Sequence, residues 1–145
     1  MSNIITPLPT EAQWEYAARG GLVGADYVWG DAPAAANARP RANHWQGAFP
    51  LVDVGTDGFK GRASVGCFAA NGYGLYDMAG NVWELTQTRW EPAADVVIKG
   101  GSWLCADNVC LRYRPAARQP GDPTLGTNHI GFRTVGRPRG TRENA

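Results

Sequence analysis

Cys105 and Cys110 stand in the stretch Gly100 to Arg118, GGSWLCADNVCLRYRPAAR, which holds two of the chain's three cysteines with Ser102 and three arginines. Only Ala106, Asp107, Asn108 and Val109 separate them, a gap that lets a small loop turn both sulfurs toward one point. Three kinds of chemistry suit such a pair: a metal clip, a short disulfide, or two buried and inert thiols, since free cysteine is among the most buried residue types. A zinc site wants four ligands in paired knuckles or Cys/His clusters, and the other candidates, Cys67, His44 and His129, are far off in sequence. Two thiolates alone suit a soft ion of low coordination number, and Cu(I) fits that rule best.

Backbone polar groups in a loop-rich chain must still find partners, and bound Ca2+, which takes carboxylate, amide and carbonyl oxygen, is one way to satisfy clusters of carbonyls. Taken alone, Asp57-Gly58 reads as a turn, Asp77 as a helix cap and Glu84 as a solvated carboxylate.

These groups need elements to hold them, and the composition describes an irregular but folded chain. A chain of 145 residues with 43% hydrophobic and 19% charged residues fits one domain with a real core. The 19 glycines, 10 prolines and six tryptophans indicate many tight turns pinned by large aromatic anchors. A net charge of +1 gives no reason to expect a nucleic acid or an anionic membrane as partner. No apolar run approaches the length a bilayer requires. The opening MSNIITPLPTEAQ has no basic region followed by an apolar one, so the expected location is the cytoplasm. Three cysteines without a disulfide framework agree with a reducing compartment.

Thr10 with Gln13 matches a capping box, Glu11 and Arg19 complement the dipole, and Gly20-Gly21 can end a helix over 11–19. Val96 to Lys99 is β-branched and predicts a short strand. Leu111 to Arg114 alternates apolar and basic residues and predicts another, and His129 to Val135 predicts a closing strand. Asn71-Gly72 and Gly80-Asn81 are turn signals, and Pro120 to Asn128 is a predicted loop. Gly136 to Ala145 is expected to be a polar tail.

LPTEAQWEYAARGG, GYGLYDMAGNVWE, GGSWLC, CLRYR and IGFR together resemble the core of the formylglycine-generating enzymes, or sulfatase-modifying factors, from Leu8 to Val135. The resemblance implies an α+β fold, loop-rich and C-type-lectin-like, with few short strands and helices. It implies oxidation of a cysteine in an unfolded sulfatase or sulfatase-derived Cys-x-Pro-x-Arg peptide to Cα-formylglycine by O2. Cys105 and Cys110 would hold Cu(I), the substrate thiol would join them, and water would hydrolyse a thioaldehyde to the aldehyde. Ser102 matches a position beside the metal, and Trp83, Arg118 and His129 match pocket positions. A first Ca2+ would be held by Asn43, Asp57 and the carbonyls of His44 and Phe59, a second by Asp77, Gly80, Val82 and Glu84.

The chain departs from the family where Ala106 and Val109 replace a common His and Tyr, and where His129 replaces a usual Asn. Pro115 and Thr134 replace two cysteines that form structural disulfides in many eukaryotic members. The family carries a sizeable segment before LPTEAQ where this sequence has seven residues, so an N-terminally truncated domain is expected, with a further chain as a possible source of that segment. Two alternatives differ in class: an inactive, calcium-stabilised binding module of the same fold, and a non-haem iron oxidase, whose two-His-one-carboxylate triad would need both His44 and His129.

Overall fold

The computed structural model describes residues 6–32 and 40–136. The expected polar tail lies outside the described residues, apart from Gly136. Helix α1 spans Glu11–Arg19 and begins where its sequence predicts. The Thr10 hydroxyl accepts from the Gln13 N–H at 3.1 Å while the Gln13 side chain accepts from the Thr10 N–H at 2.9 Å. Two otherwise orphaned donors are thereby satisfied. Gly20, left-handed at φ 56°, ends the helix by donating to the Ala17 carbonyl. The face carrying Trp14 and Ala18 packs on Met78 and is buried.

Four strands form one sheet in the order β3-β2-β1-β4. They are β1 Trp83–Arg89, β2 Val96–Lys99, β3 Gln119–Gly121 and β4 Ile130–Phe132. β1 pairs antiparallel with β2 and parallel with β4, while β3 adds antiparallel to β2. β2 forms over the predicted residues, and the expected closing strand contracts to three residues. Pro120 takes part in β3, where a loop was expected, because an edge strand tolerates a residue without an N–H.

Leu111 to Arg114 is a turn and not the predicted strand. Ala117 closes a turn onto the Arg114 carbonyl at 3.0 Å, and Pro115 has no donor for a ladder. Tyr113 is thereby delivered, 1% exposed, into the larger core cluster, with Tyr27, Trp83, Ile98 and Cys105. No helix among the described residues is long and apolar enough to cross a membrane.

Candidate functional site

The sharp turn after Cys105 brings the thiols together. Val109 and Cys110 both donate their N–H to the Ala106 carbonyl, at 3.0 and 2.7 Å, so the chain doubles back within five residues. The two Sγ atoms come to 3.2 Å of each other, and both cysteines are free. Cys105 is buried and Cys110 half-buried, so the pair has an inner and an outer member. Burial pushes the Cys105 thiol up to about 12, the nearby Cys110 adds to this, and the backbone of Ser102 opposes it.

Segment 43–45 fixes the position of this loop. Trp45 donates its N–H to the Cys105 carbonyl at 3.0 Å, and Asn81 donates to the Asn43 carbonyl at 2.8 Å. Trp103 donates in turn to the Asn81 carbonyl at 2.9 Å, which closes a circuit between the Gly80 turn and the cysteine loop. Gly80 is required here: at φ 70°, a Cβ would lie 2.1 Å from the Asn43 carbonyl oxygen. Behind the loop, Trp29 stacks on Tyr27, Tyr27 on Tyr113 and Tyr113 on His44, with centroids 5.1, 5.9 and 4.9 Å apart. This row of rings braces the wall against which Cys105 packs.

Ser102 lies at the site. It is 1% exposed, its carbonyl accepts from the Cys105 N–H at 2.9 Å, and its hydroxyl accepts from Leu104 at 3.3 Å. Trp83 is 3% exposed in the same cluster as Cys105, so it is a core wall and not an open pocket residue. Its backbone N–H donates to the carbonyl of half-buried His129 at 2.8 Å. Arg118 goes elsewhere: it pairs with Glu11 at 2.9 Å and stacks 4.7 Å from the Trp90 centroid. It braces α1, because the nearest carboxylate and aromatic face are there.

Of the first oxygen group, His44, Asp57 and Phe59 come together. Asp57 accepts from His44 N at 3.3 Å and from Phe59 N at 2.9 Å, which gathers both carbonyl-bearing residues around one carboxylate. The Asn43 amide donates to the Gly61 carbonyl at 2.8 Å. The Gln46 amide nitrogen bridges the His44 carbonyl and Asp57 Oδ2, so a donor already sits between two expected ligands. The Gln46 amide oxygen accepts in turn from Asp57 N at 3.0 Å, and the carbonyl and carboxylate oxygens of the group fit a hard cation.

The second group does not come together as expected. Both Glu84 oxygens hold Arg133, at 2.5 and 2.6 Å, and Oε2 also accepts from Trp14 Nε1 at 2.6 Å. Asp77 Oδ2 accepts from Gly66 at 2.7 Å. A guanidinium thus takes the charge that Glu84 would have offered to calcium. Among the described residues, no three His, Cys, Asp or Glu side chains gather into a metal site. Neither a four-ligand zinc site nor the histidine iron triad forms among them, and the soft donor set is the thiol pair.

Asp107 and Tyr113 are site residues with almost no sequence signal. The Tyr113 hydroxyl donates to Asp107 Oδ1, and His44 Nδ1 lies 3.8 Å from the same oxygen. The position of Asp107 between the cysteines was the one available clue.

The profile of the sulfatase-modifying factor enzyme 1-like domain matches residues 3–138. A formylglycine-generating enzyme of Mycobacterium tuberculosis is 48% identical over 154 residues, covering 90% of this chain and 51% of the relative. An inactive C-alpha-formylglycine-generating enzyme 2 of Mus musculus is 43% identical, covering 91% of this chain and 44% of the relative. Among solved structures, Treponema denticola variable protein 1 superposes with a TM-score of 0.68 at 26% identity, covering 90% of this chain and 47% of the other. The chain therefore spans about half the length of the curated relatives it matches.

Proposed function

The chain belongs to the sulfatase-modifying factor enzyme family, and from that premise we propose that it carries the thiol-pair centre of an oxidase converting a peptidyl cysteine of a sulfatase to Cα-formylglycine. The observation that supports this is the 3.2 Å approach of two free thiols at a turn built to hold them. Cys105 and Cys110 would hold Cu(I), since soft thiolates select it. When bound, that ion supplies a site for the substrate thiol and a route for electrons to O2.

The chain's own residues set the conditions. Burial keeps Cys105 protonated, so metal loading must release a proton. The Ser102 backbone favours the Cys105 thiolate and holds the turn, while half-buried Cys110 is the more accessible thiol of the two. The substrate's CH2–SH group loses two electrons and two protons to give a thioaldehyde. O2 takes these up, as hydrogen peroxide or, with a thiol reductant, as water. Water then replaces sulfur at carbon, giving the aldehyde and hydrogen sulfide. The proposed partners are a sulfatase-type Cys-x-Pro-x-Arg segment and a further segment or chain that completes the domain. The proposed compartment is a reducing one, the cytoplasm. Calcium is proposed at the Asn43, His44, Asp57 and Phe59 group.

A second reading is a binding module of the same fold, since the mouse relative named inactive is nearly as similar as those named as enzymes. The paired thiols favour the first. Reduced protein titrated with Cu(I) against a competing chelator separates the two. One-to-one binding lost in both Cys105→Ser and Cys110→Ser is expected, followed by aldehyde formation in a cysteine peptide. Binding that survives either change would leave the module.

A further inference from the structure

The turn that carries the thiol pair is anchored unevenly. Its inner end is fixed by the rest of the fold. Cys105 and Ala106 are buried, the Ser102 carbonyl holds the Cys105 N–H, and Trp45 donates to the Cys105 carbonyl and pairs with Ala106 in a single β-bridge. Its outer part, residues 107–109, is exposed, and the one backbone hydrogen bond it makes among the described residues is the local bond from Val109 to Ala106. Cys110 follows that outer part directly, so its distance from Cys105 depends on whatever holds residues 107–109.

One side chain there is held by the core. Asp107 Oδ1 accepts from the Tyr113 hydroxyl, which is the one hydrogen-bond donor to this carboxylate among the described residues. His44 Nδ1 stands 3.8 Å from the same oxygen and 3.2 Å from the Trp45 carbonyl, which is its hydrogen-bond partner. Tyr113 is a rigid post. It is 1% exposed, and its ring lies between those of Tyr27 and His44. Its backbone is so close to Gly101 that a Cβ there would lie 2.8 Å from the Tyr113 nitrogen. Gly101 precedes Ser102, so the post stands on the same corner that fixes Cys105. Burial pushes the phenol well above its ordinary range, so the hydroxyl stays a donor.

We propose that Tyr113 is a positioning residue for the thiol pair: through its hydrogen bond to Asp107 it holds the outer part of the loop and sets the approach of Cys110 to Cys105. The inference rests on the thiol-pair reading above for its use, while the geometry it concerns is independent of any metal. Two thiols held 3.2 Å apart act as if each met the other at high local concentration. A loop released at Asp107 spreads over several conformations, and the entropy of gathering it again opposes any event that needs both sulfurs. A hydrogen bond to a carboxylate is strong enough to make that difference measurable.

The test is the equilibrium of the reduced full chain with a glutathione buffer, in a Cys67→Ser background so that one pair reports. One glutathione disulfide takes two electrons and two protons from Cys105 and Cys110, giving one protein disulfide and two glutathione thiols, and the equilibrium constant measures the proximity of the sulfurs. Tyr113→Phe should lower it about tenfold, as expected on losing a hydrogen bond to a charged group, and should lower Cu(I) affinity by a similar factor. Asp107→Ala should do the same, and the double variant no more than either, because both remove one interaction. Asp107→Asn should lose much less, because its amide oxygen still accepts from the hydroxyl. Urea unfolding shows which variants are folded, and lost global stability alone leaves the constant of a folded chain unchanged. Should Tyr113→Phe not fold, Asp107→Ala against Asp107→Asn decides. An unchanged constant in folded Tyr113→Phe or Asp107→Ala, additive effects in the double variant, or equal losses in Asp107→Ala and Asp107→Asn would overturn the inference. A constant that falls as expected in a chain that binds no Cu(I) would refute the metal reading alone, and one-to-one Cu(I) binding with a constant indifferent to Tyr113→Phe would refute this one alone.

Discussion

At the scale of single residues, the two thiols of the pair are made unequal by burial alone. Cys105, pushed from the ordinary 9.0 to about 12, stays protonated wherever an unfolded chain has begun to ionise. The folded, metal-free protein therefore binds more protons than the unfolded one between those values, so stability falls as pH rises through that window. Denaturation midpoints of the reduced apoprotein should decline above about pH 9, and Cys105→Ala should flatten the decline. Alkylation followed by mass spectrometry gives an independent check. At pH 8 exposed Cys67 should react first and Cys105 last, because the thiolate is the nucleophile. Rapid labelling of Cys105 would contradict its burial and its raised pKa.

At the scale of elements, the loop from Asn43 to Gly61 decides whether hard-cation chemistry is present. Asp57 receives backbone donors from His44 and Phe59, and the Gln46 amide already spans His44 O and Asp57 Oδ2. A cation that displaces this amide must bind the folded loop better than the unfolded chain, and so raises stability by mass action. Calcium at about a hundredfold excess over its dissociation constant should raise Tm by about 5–10 °C. The shift should disappear in Asp57→Asn and persist in Glu84→Gln. Calorimetry showing the reverse pattern would move calcium to the second group.

At the scale of the whole molecule, one carboxylate ties together three parts of the chain. Glu84 in β1 receives Trp14 from α1 and Arg133 from beyond β4, and Lys99 in β2 lies 5.8 Å from the Trp14 centroid. Lys99 is itself fully buried and pairs with Glu15 at 3.2 Å and Glu11 at 3.6 Å. Removing one partner of such an arrangement leaves a charge and an indole N–H unpaired. Glu84→Ala should cost about 3 kcal/mol in urea unfolding, with Glu84→Gln costing less because it retains an acceptor for Trp14. A cost for Glu84→Ala near zero would mean that the pair is solvated and not structural.

Sequence alone determined what depends on neighbours along the chain. The helix over Glu11–Arg19 follows from the Thr10/Gln13 box and from Gly20, β2 from a β-branched run, and the meeting of Cys105 and Cys110 from a gap that one turn can close. The family phrases were legible because they are contiguous words. What tertiary structure decided depends on partners far away in sequence. Leu111 to Arg114 has a strand's alternation yet turns, so that Tyr113 can stack between Tyr27 and His44. β1 carries no turn-bounded apolar run, and it exists because β2 and β4 pair with it on both sides. The resemblance assigned Glu84 to calcium and Arg118 to a pocket, and each pairs with an opposite charge instead, Arg133 and Glu11. Asp107 gained its anchor only when folding brought the Tyr113 hydroxyl to it. A charged side chain's role is set by which groups reach it in space, and no spacing along the chain encodes that.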